Sequence, residues 1–283
     1  MKLTRSLGLA IVGLFALFAL TPPVQAQESQ AIFSGSNLNG WKDEEAKTRV
    51  RDGVLTIEQA PGWIRYDDSV NNFVVTMDVR LTSPETKFAV FLRALPTRDK
   101  KTVPESGRRI TLQGAPGAGP AAPWQRLEIE AVGFTVKARI DGAQVYAGDD
   151  LVNPDGYLAL AALGGAAEIK NIQLTRVKVE GTLQRKDGVY MVGYGIEEPT
   201  PEVPLDPPYP PIAQAARIQG AVILSVVVLP TGDVSEIYVI QSQPGGLDKA
   251  ATDAVRAAKY KASTLNGKPV ATMHTLRVTF RLR

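Results

Sequence analysis

The chain is 283 residues long, 44% hydrophobic and 22% charged, with 20 prolines, a single histidine and no cysteine. The missing cysteine excludes disulfides, thiolate metal sites, a cysteine nucleophile and a lipid-modified cysteine, so an exported form depends on its hydrophobic cores for stability. A net charge of +3, with the basic residues scattered along the chain, argues against a nucleic-acid partner, and the length suits two modest domains.

The chain opens with Lys2 and Arg5, an apolar stretch from Leu7 to Leu20, and small residues closing at Gln25-Ala26. This is the pattern of an export signal, residues 1–26, with cleavage expected after Ala26. As a helix the apolar stretch reaches about 21 Å at about 1.5 Å per residue, short of a hydrocarbon core of about 30 Å. The periplasm of a Gram-negative-type envelope is the expected compartment, and an inner-membrane anchor at residues 7–20 is the alternative.

Residues 27–180 lack helical periodicity and carry short alternating runs separated by Gly, Pro, Asn and Asp, as in an all-β domain. The expected strands include 53–57, 73–80, 88–93, 126–132, 135–140, 156–162 and 169–177. Seven or more strands in this length predict a two-sheet sandwich of the jelly-roll kind. Glu128 and Glu130 lie two apart and share one strand face opposite Leu127, Ile129 and Ala131. They are the candidate acid and base for a hydrolase, or else a solvated polar face. Trp41, Trp63 and Trp124 are candidates for a sugar-stacking platform or for core packing. Asp67-Asp68 and Asp149-Asp150 read as turn carboxylates, and neither a metal site nor a cofactor is expected.

Residues 181–208 combine a lead-in, Val189 to Gly195, with a proline-rich linker from Glu197 to Pro208. The prolines predict an extended spacer reaching about 40 Å at about 3.1 Å per residue. Residues 209–283 then hold nine Lys/Arg against four Asp/Glu, which would steer the domain toward acidic partners or anionic surfaces. Gly220 to Leu229 and Val234 to Ile240 are β-branched runs separated by Pro230-Thr231-Gly232-Asp233, a hairpin signature. Leu247, Ala250, Ala251, Ala254, Val255 and Ala258 recur at helical spacing, with Asp248 near the start and Lys259 and Lys261 near the end. In the last run His274, Leu276, Val278, Phe280 and Leu282 share one face, so a half-buried terminal strand is expected.

Two resemblances follow from these residues. Tyr209-Pro210, Gly220-Ala221-Val222, Leu247-Asp248-Lys249-Ala250-Ala251 and Val278-Thr279-Phe280-Arg281-Leu282 occur in the order of the TonB C-terminal domain family, which the region 186–283 resembles. Ile32 to Trp41, Phe91-Leu92-Arg93, Trp124 to Ile129, Ile140-Asp141-Gly142 and Ile169 to Leu174 resemble the 3-keto-disaccharide hydrolase family, which has a concanavalin-like sandwich. The fold implied is mainly β in two domains, a jelly-roll or concanavalin-like sandwich followed by a small α+β unit of ββαβ order. One departure concerns catalysis: Arg108 to Gln113 carries no acid where the hydrolase family has a Tyr-Glu-x-Gln strand.

The TonB resemblance implies an outer-membrane TonB-dependent receptor, or a similar envelope protein, as partner. It places the partner peptide along Thr272, Met273, His274, Thr275, Leu276, Arg277 and Val278, provided that this strand lies at a sheet edge. A homodimer through the same strand is the competing fate of that edge. Family transducers rely on an uncleaved membrane helix and a long spacer, so this chain reads as an envelope adaptor with a glycan- or protein-binding sandwich. The alternative is a periplasmic 3-keto-glycoside hydrolase with the C-terminal domain as its docking module.

Overall fold

The computed structural model describes residues 24–58, 62–96, 103–104, 106–149 and 151–282. The export-signal reading falls almost wholly outside the described residues. Among them no helix is long and apolar enough to cross a membrane.

The N-terminal domain comprises β1 (Val24–Ala31), β2 (Trp41–Glu44), β3 (Thr48–Arg51), β4 (Val54–Ile57), β5 (Trp63–Val70), β6 (Phe73–Leu81), β7 (Lys87–Ala94), β8 (Arg108–Gln113), β9 (Gln125–Val132), β10 (Thr135–Ile140), β11 (Ala143–Gly148), β12 (Gly156–Leu163) and β13 (Ala167–Val179). One sheet runs β11-β10-β9-β6-β13-β4-β3, with β1 also paired to β13, and the other runs β2-β5-β12-β7-β8. The expected sandwich is therefore present.

Strand alternation builds its core. Phe73, Val75, Met77, Val79 and Leu81 of β6 face Phe88, Val90 and Leu92 of β7 and Leu158 and Leu160 of β12 in one buried cluster. Each such side chain contributes roughly 1.5–3 kcal/mol by leaving water. The long strand β13 shifts register between Lys170 and Gln173. Asn171 sits there at φ 53°, a left-handed conformation that Asn tolerates better than most residues and that suits a bulge.

The rest of the chain forms β14 (Tyr190–Met191), β15 (Thr200–Pro201), α1 (Pro211–Ala215), β16 (Gly220–Val228), β17 (Val234–Gln241), α2 (Leu247–Ala257), β18 (Tyr260–Lys261), β19 (Thr264–Leu265), β20 (Lys268–Pro269) and β21 (Thr272–Phe280). Their main sheet has the order β14-β21-β16-β17. Leu247, Ala250, Ala251 and Val255 of α2 pack on Val222, Leu224, Val226, Val228, Val278 and Phe280. Gly232 in the hairpin has φ +83°, and a Cβ there would meet the Tyr260 carbonyl oxygen at 2.1 Å, so no side chain fits.

Two expectations change. Helix α2 stops at Ala257, because Ala258 is already extended; Tyr260 then drops into the core, 2% exposed, and Lys259 pairs with Asp233 at 2.6 Å. The proline-rich linker is not a free spacer. Thr200 and Pro201 pair with β18, Glu202 N–H donates to the Lys259 carbonyl at 2.8 Å, and Leu205 packs against the domain core.

The two domains meet directly. Phe134 from the sandwich, Leu183, Val189 and Met191 from the lead-in, and Val227 and Met273 from the sheet form one buried cluster. The Ser225 hydroxyl donates to the Val152 carbonyl at 2.6 Å. The sandwich loops at this end are gathered by Arg93, which is fully buried. Its guanidinium donates to the carbonyls of Asn71 (2.6 Å), Gly133 (2.7 Å) and Asn153 (3.0 Å) and to Asn72 Oδ1 (3.2 Å). Burial lowers the Arg93 pKa to about 10. Asn72 Nδ2 in turn donates to the Tyr194 hydroxyl of the lead-in at 2.7 Å.

Candidate functional site

Strand β21 is the element on which the partner-binding residues were placed. Its inner side pairs with β16 along the whole run from Thr272↔Val228 to Phe280↔Gly220. Its outer side is paired only at its start, where β14 runs parallel with Tyr190 beside Thr272 and Met191 beside Met273. Tyr190 N–H donates to the Ala271 carbonyl at 2.8 Å and Val192 N–H to the Met273 carbonyl at 3.2 Å.

These two bonds fix which backbone groups point outward. The N–H and C=O of one strand residue point the same way and alternate along the chain. Odd-numbered residues therefore face the β14 side, and Thr275, Arg277 and Thr279 present backbone groups that no described strand satisfies. From Thr275 to Thr279 this edge is about 13 Å long at about 3.3 Å per residue.

The seven nominated residues are thus not equivalent. Thr272, Met273 and His274 are buried, and the outer side at Thr272 and Met273 is already covered. The expected open edge is consequently shorter than Thr272–Val278 and begins at Thr275. Thr275 and Arg277 are exposed, Leu276 is intermediate and Val278 is buried. His274 lies edge-on to Tyr260 at 6.4 Å, neither ring nitrogen has a hydrogen-bond partner, and burial lowers its pKa to about 4.

Beyond the end of the strand, Leu205 to Tyr209 and Thr279 to Leu282 line a groove. Tyr209 holds this corner: its hydroxyl donates to the Ile218 carbonyl at 2.5 Å and its ring meets Phe280 edge-on at 5.7 Å. The other nominated motif residues are structural as well. Pro210 precedes α1 and accepts from Gln214 N–H at 3.0 Å. Gly220 pairs with Phe280, Leu247 is fully buried, and Asp248 accepts from Gln243 N–H at 2.7 Å and from the Ser242 hydroxyl.

Sequence reasoning missed the covering segment. Arg185 of the lead-in donates to Glu236 Oε1 at 2.6 Å and to Asp187 Oδ2 at 2.6 Å, and it holds both carboxyls below their usual range. The alternation of Val189 and Met191 around Tyr190 was the only signal that a strand formed there.

In the sandwich, Glu128 and Glu130 lie on the outer face of the larger sheet. Glu128 stands opposite Arg139 and Glu130 opposite Lys137, with N–O distances of 2.6 Å and 3.4 Å. Each carboxylate already has a cation, and both edges of β9 are paired.

Trp41 is buried and donates to the Ile32 carbonyl at 2.6 Å. Trp63 is buried on the outer face of the smaller sheet beside Phe91, Ala159 and Ala161. Trp124 is flanked by Arg80 at 4.5 Å and Lys170 at 4.2 Å. Trp41 and Trp63 are buried and offer no ring face to a ligand, while Trp124 is half-buried with two cations over its ring. Asp150 lies outside the described residues, and Asp149 pairs with Lys186 at 2.8 Å. Among the described residues no group of three or more metal-ligating side chains gathers.

Fold and strand edge together define a class: a concanavalin-like sandwich joined to a small sheet-and-helix domain of the TonB C-terminal kind. The family model described as 3-keto-alpha-glucoside-1,2-lyase-like domain matches residues 28–175, and the chain belongs to that family. The model described as Gram-negative bacterial TonB protein C-terminal matches residues 206–282.

"Protein TonB" of Xanthomonas campestris pv. campestris strain B100 is 44% identical over 77 residues, 27% of this chain and 34% of that protein. The chain thus spans about a third of the length of that relative. Among solved structures, a candidate glycosyl hydrolase from Parabacteroides distasonis is 15% identical with a TM-score of 0.45, covering 52% of this chain and 92% of that one. The carbohydrate binding module CBM66 from Bacillus subtilis is 16% identical with a TM-score of 0.38, covering 49% of this chain and 95% of that one.

Proposed function

We propose that this protein is a cell-envelope adaptor of the TonB kind. Its C-terminal domain takes up an extended segment of an outer-membrane transport partner as an added strand along Thr275 to Thr279, and its sandwich binds a glycan or another protein. The observation that carries this reading is the outward backbone of Thr275, Arg277 and Thr279. Unpaired strand groups gain hydrogen bonds from any extended chain laid beside them, and the neighbouring side chains select among such chains. The similarity of residues 206–282 to TonB supports the choice of partner.

A hydrolase seated on Glu128 and Glu130 is less well supported, because both carboxylates are committed to cations across the strand pair. Turnover of a 3-keto-glycoside by the full chain, lost in Glu128→Gln, would reinstate it.

The missing cysteine gives a direct test. Thr275→Cys is the only thiol in the chain and its side chain would be exposed on β21. Synthetic peptides spanning the N-terminal segment of a TonB-dependent receptor, each with one cysteine, should form a mixed disulfide with it in a register-dependent way. Equal trapping at an exposed control cysteine placed at Val145, which lies in the sandwich, would sink the proposal. Trapping of a second copy of the chain in place of the peptide would point to the homodimer.

A further inference from the structure

We infer that Arg277 selects for an acidic segment on the open strand edge, so that the captured peptide carries a carboxylate on the side turned away from α2. This inference rests on the reading of Thr275–Thr279 as the capture site.

Residues on β21 alternate between the helix side, where Val278 and Phe280 enter the core, and the opposite face, where Thr275, Arg277 and Thr279 are exposed. A strand added at this edge would place every second side chain beside those three. Arg277 has no ion-pair partner among the described residues, unlike Arg139, Arg185 and Lys259, which each have a carboxylate within 2.6 Å.

The same face offers it no acid. Arg277 stands opposite Ile223, Thr275 opposite Ser225 and Thr279 opposite Ala221. One strand further, Gln241 stands opposite Ile223 and Tyr238 opposite Ser225. Glu236, the acid on that strand, is already held by Arg185. Arg281 lies beyond the strand end in the lining of the terminal groove, and it too has no carboxylate partner among the described residues. The edge therefore combines unsatisfied backbone groups with unpaired positive charge.

A cation beside a vacant strand position favours an opposite charge there and disfavours a like one, as cross-strand pairs do in any sheet. Its effect is on which peptide is held, because the backbone bonds are common to all sequences. The start of the added strand is fixed too. Tyr190 and Met191 occupy the edge up to Met273, anchored by Met191 and Val189 in the interdomain cluster and by Arg185 on Glu236.

The test uses the full chain and three capped five-residue probes, Thr-Val-Xaa-Val-Thr with Xaa as Glu, Gln or Lys. Amide chemical shifts on β21 report where they bind, and titration reports affinity. All three are expected to move the amides of Thr275, Arg277 and Thr279. The Glu probe should bind about three- to fivefold more tightly than the Gln probe and the Lys probe more weakly, with the spread shrinking at high salt. Arg277→Glu should invert the order of the Glu and Lys probes.

Equal binding of all three probes to the parent chain, with the β21 amides moving, would overturn the charge selection and leave the capture site standing. Failure of every probe to move those amides would overturn both.

Discussion

Strands β9 and β21 both turn polar side chains to solvent, and they differ in what is left unsatisfied. On β9 both edges are paired, and Glu128 and Glu130 each face a cation on β10. On β21 the outer edge is paired for two residues only, and Arg277 has no opposite charge among the described residues. A charged residue type does not by itself mark a site. Unfilled hydrogen-bonding and charge capacity does, and that is a property of the neighbours.

The comparison can be broken at several points. The largest effect is expected from Arg93→Met, which strands the carbonyls of Asn71, Gly133 and Asn153 in a buried position. A loss of roughly 3–5 kcal/mol should be read in a urea melt, together with loosening of the Phe134 and Val152 contacts that hold the sandwich against the C-terminal domain. A parent-like melt would show that water replaces the guanidinium.

The next effect depends on pH. Burial lowers the His274 pKa from 6.5 to about 4. Above about pH 6.5 the ring is neutral in both states and pH has no leverage through it. As pH falls through 6.5 the unfolded chain takes up a proton that the folded chain refuses until about pH 4. Stability of the C-terminal domain is therefore lost across that window, on the order of 3 kcal/mol in full. Melts at pH 7.5 and 4.5 should show a drop that His274→Leu reduces, and an equal drop in the variant would assign the loss to other groups.

Two proline substitutions sharpen the open edge itself. Leu276 directs its N–H toward β16, so Leu276→Pro should cost on the order of 2–3 kcal/mol. Thr275 directs its N–H outward, so Thr275→Pro should cost less than about 1 kcal/mol while weakening peptide capture. Equal destabilisation by both would mean that the outward assignment is wrong.

The smallest effect belongs to the closed strand. Glu128→Gln removes half of a partly exposed pair with Arg139 and should change stability by less than about 1 kcal/mol.

Much of this was legible in the chain. The strands at 73–80, 126–132 and 135–140 follow from alternation, because a strand with one face on the core needs every second residue apolar, and those at 88–93 and 156–162 follow from short continuous apolar runs buried on both faces. The hairpin, helix and final strand of the C-terminal region followed from the same periodicities and from the turn at Thr231-Gly232-Asp233. Strand β5 was not anticipated: its Trp63-Ile64-Arg65-Tyr66 run is buried on both sides, so it does not alternate, and Arg65 interrupts the apolar run that marked 88–93. Arg93 read as part of a strand motif, and nothing local announced that its guanidinium would join three loops.

The sequence by itself determined the two domains, their order and the face that the alternating strands turn to the core, since those depend on side-chain periodicity over a few residues. Tertiary structure alone decided that the proline-rich linker lies on the C-terminal domain, that Tyr190 and Met191 cover the start of β21, and that Glu128 and Glu130 are matched while Arg277 is not. Each of those outcomes depends on pairing between strands, across the β9–β10 hairpin for Glu128 and Glu130 and between residues distant in the chain for the others. Backbone hydrogen bonds and ion pairs of that kind leave no periodic trace in either partner's own sequence.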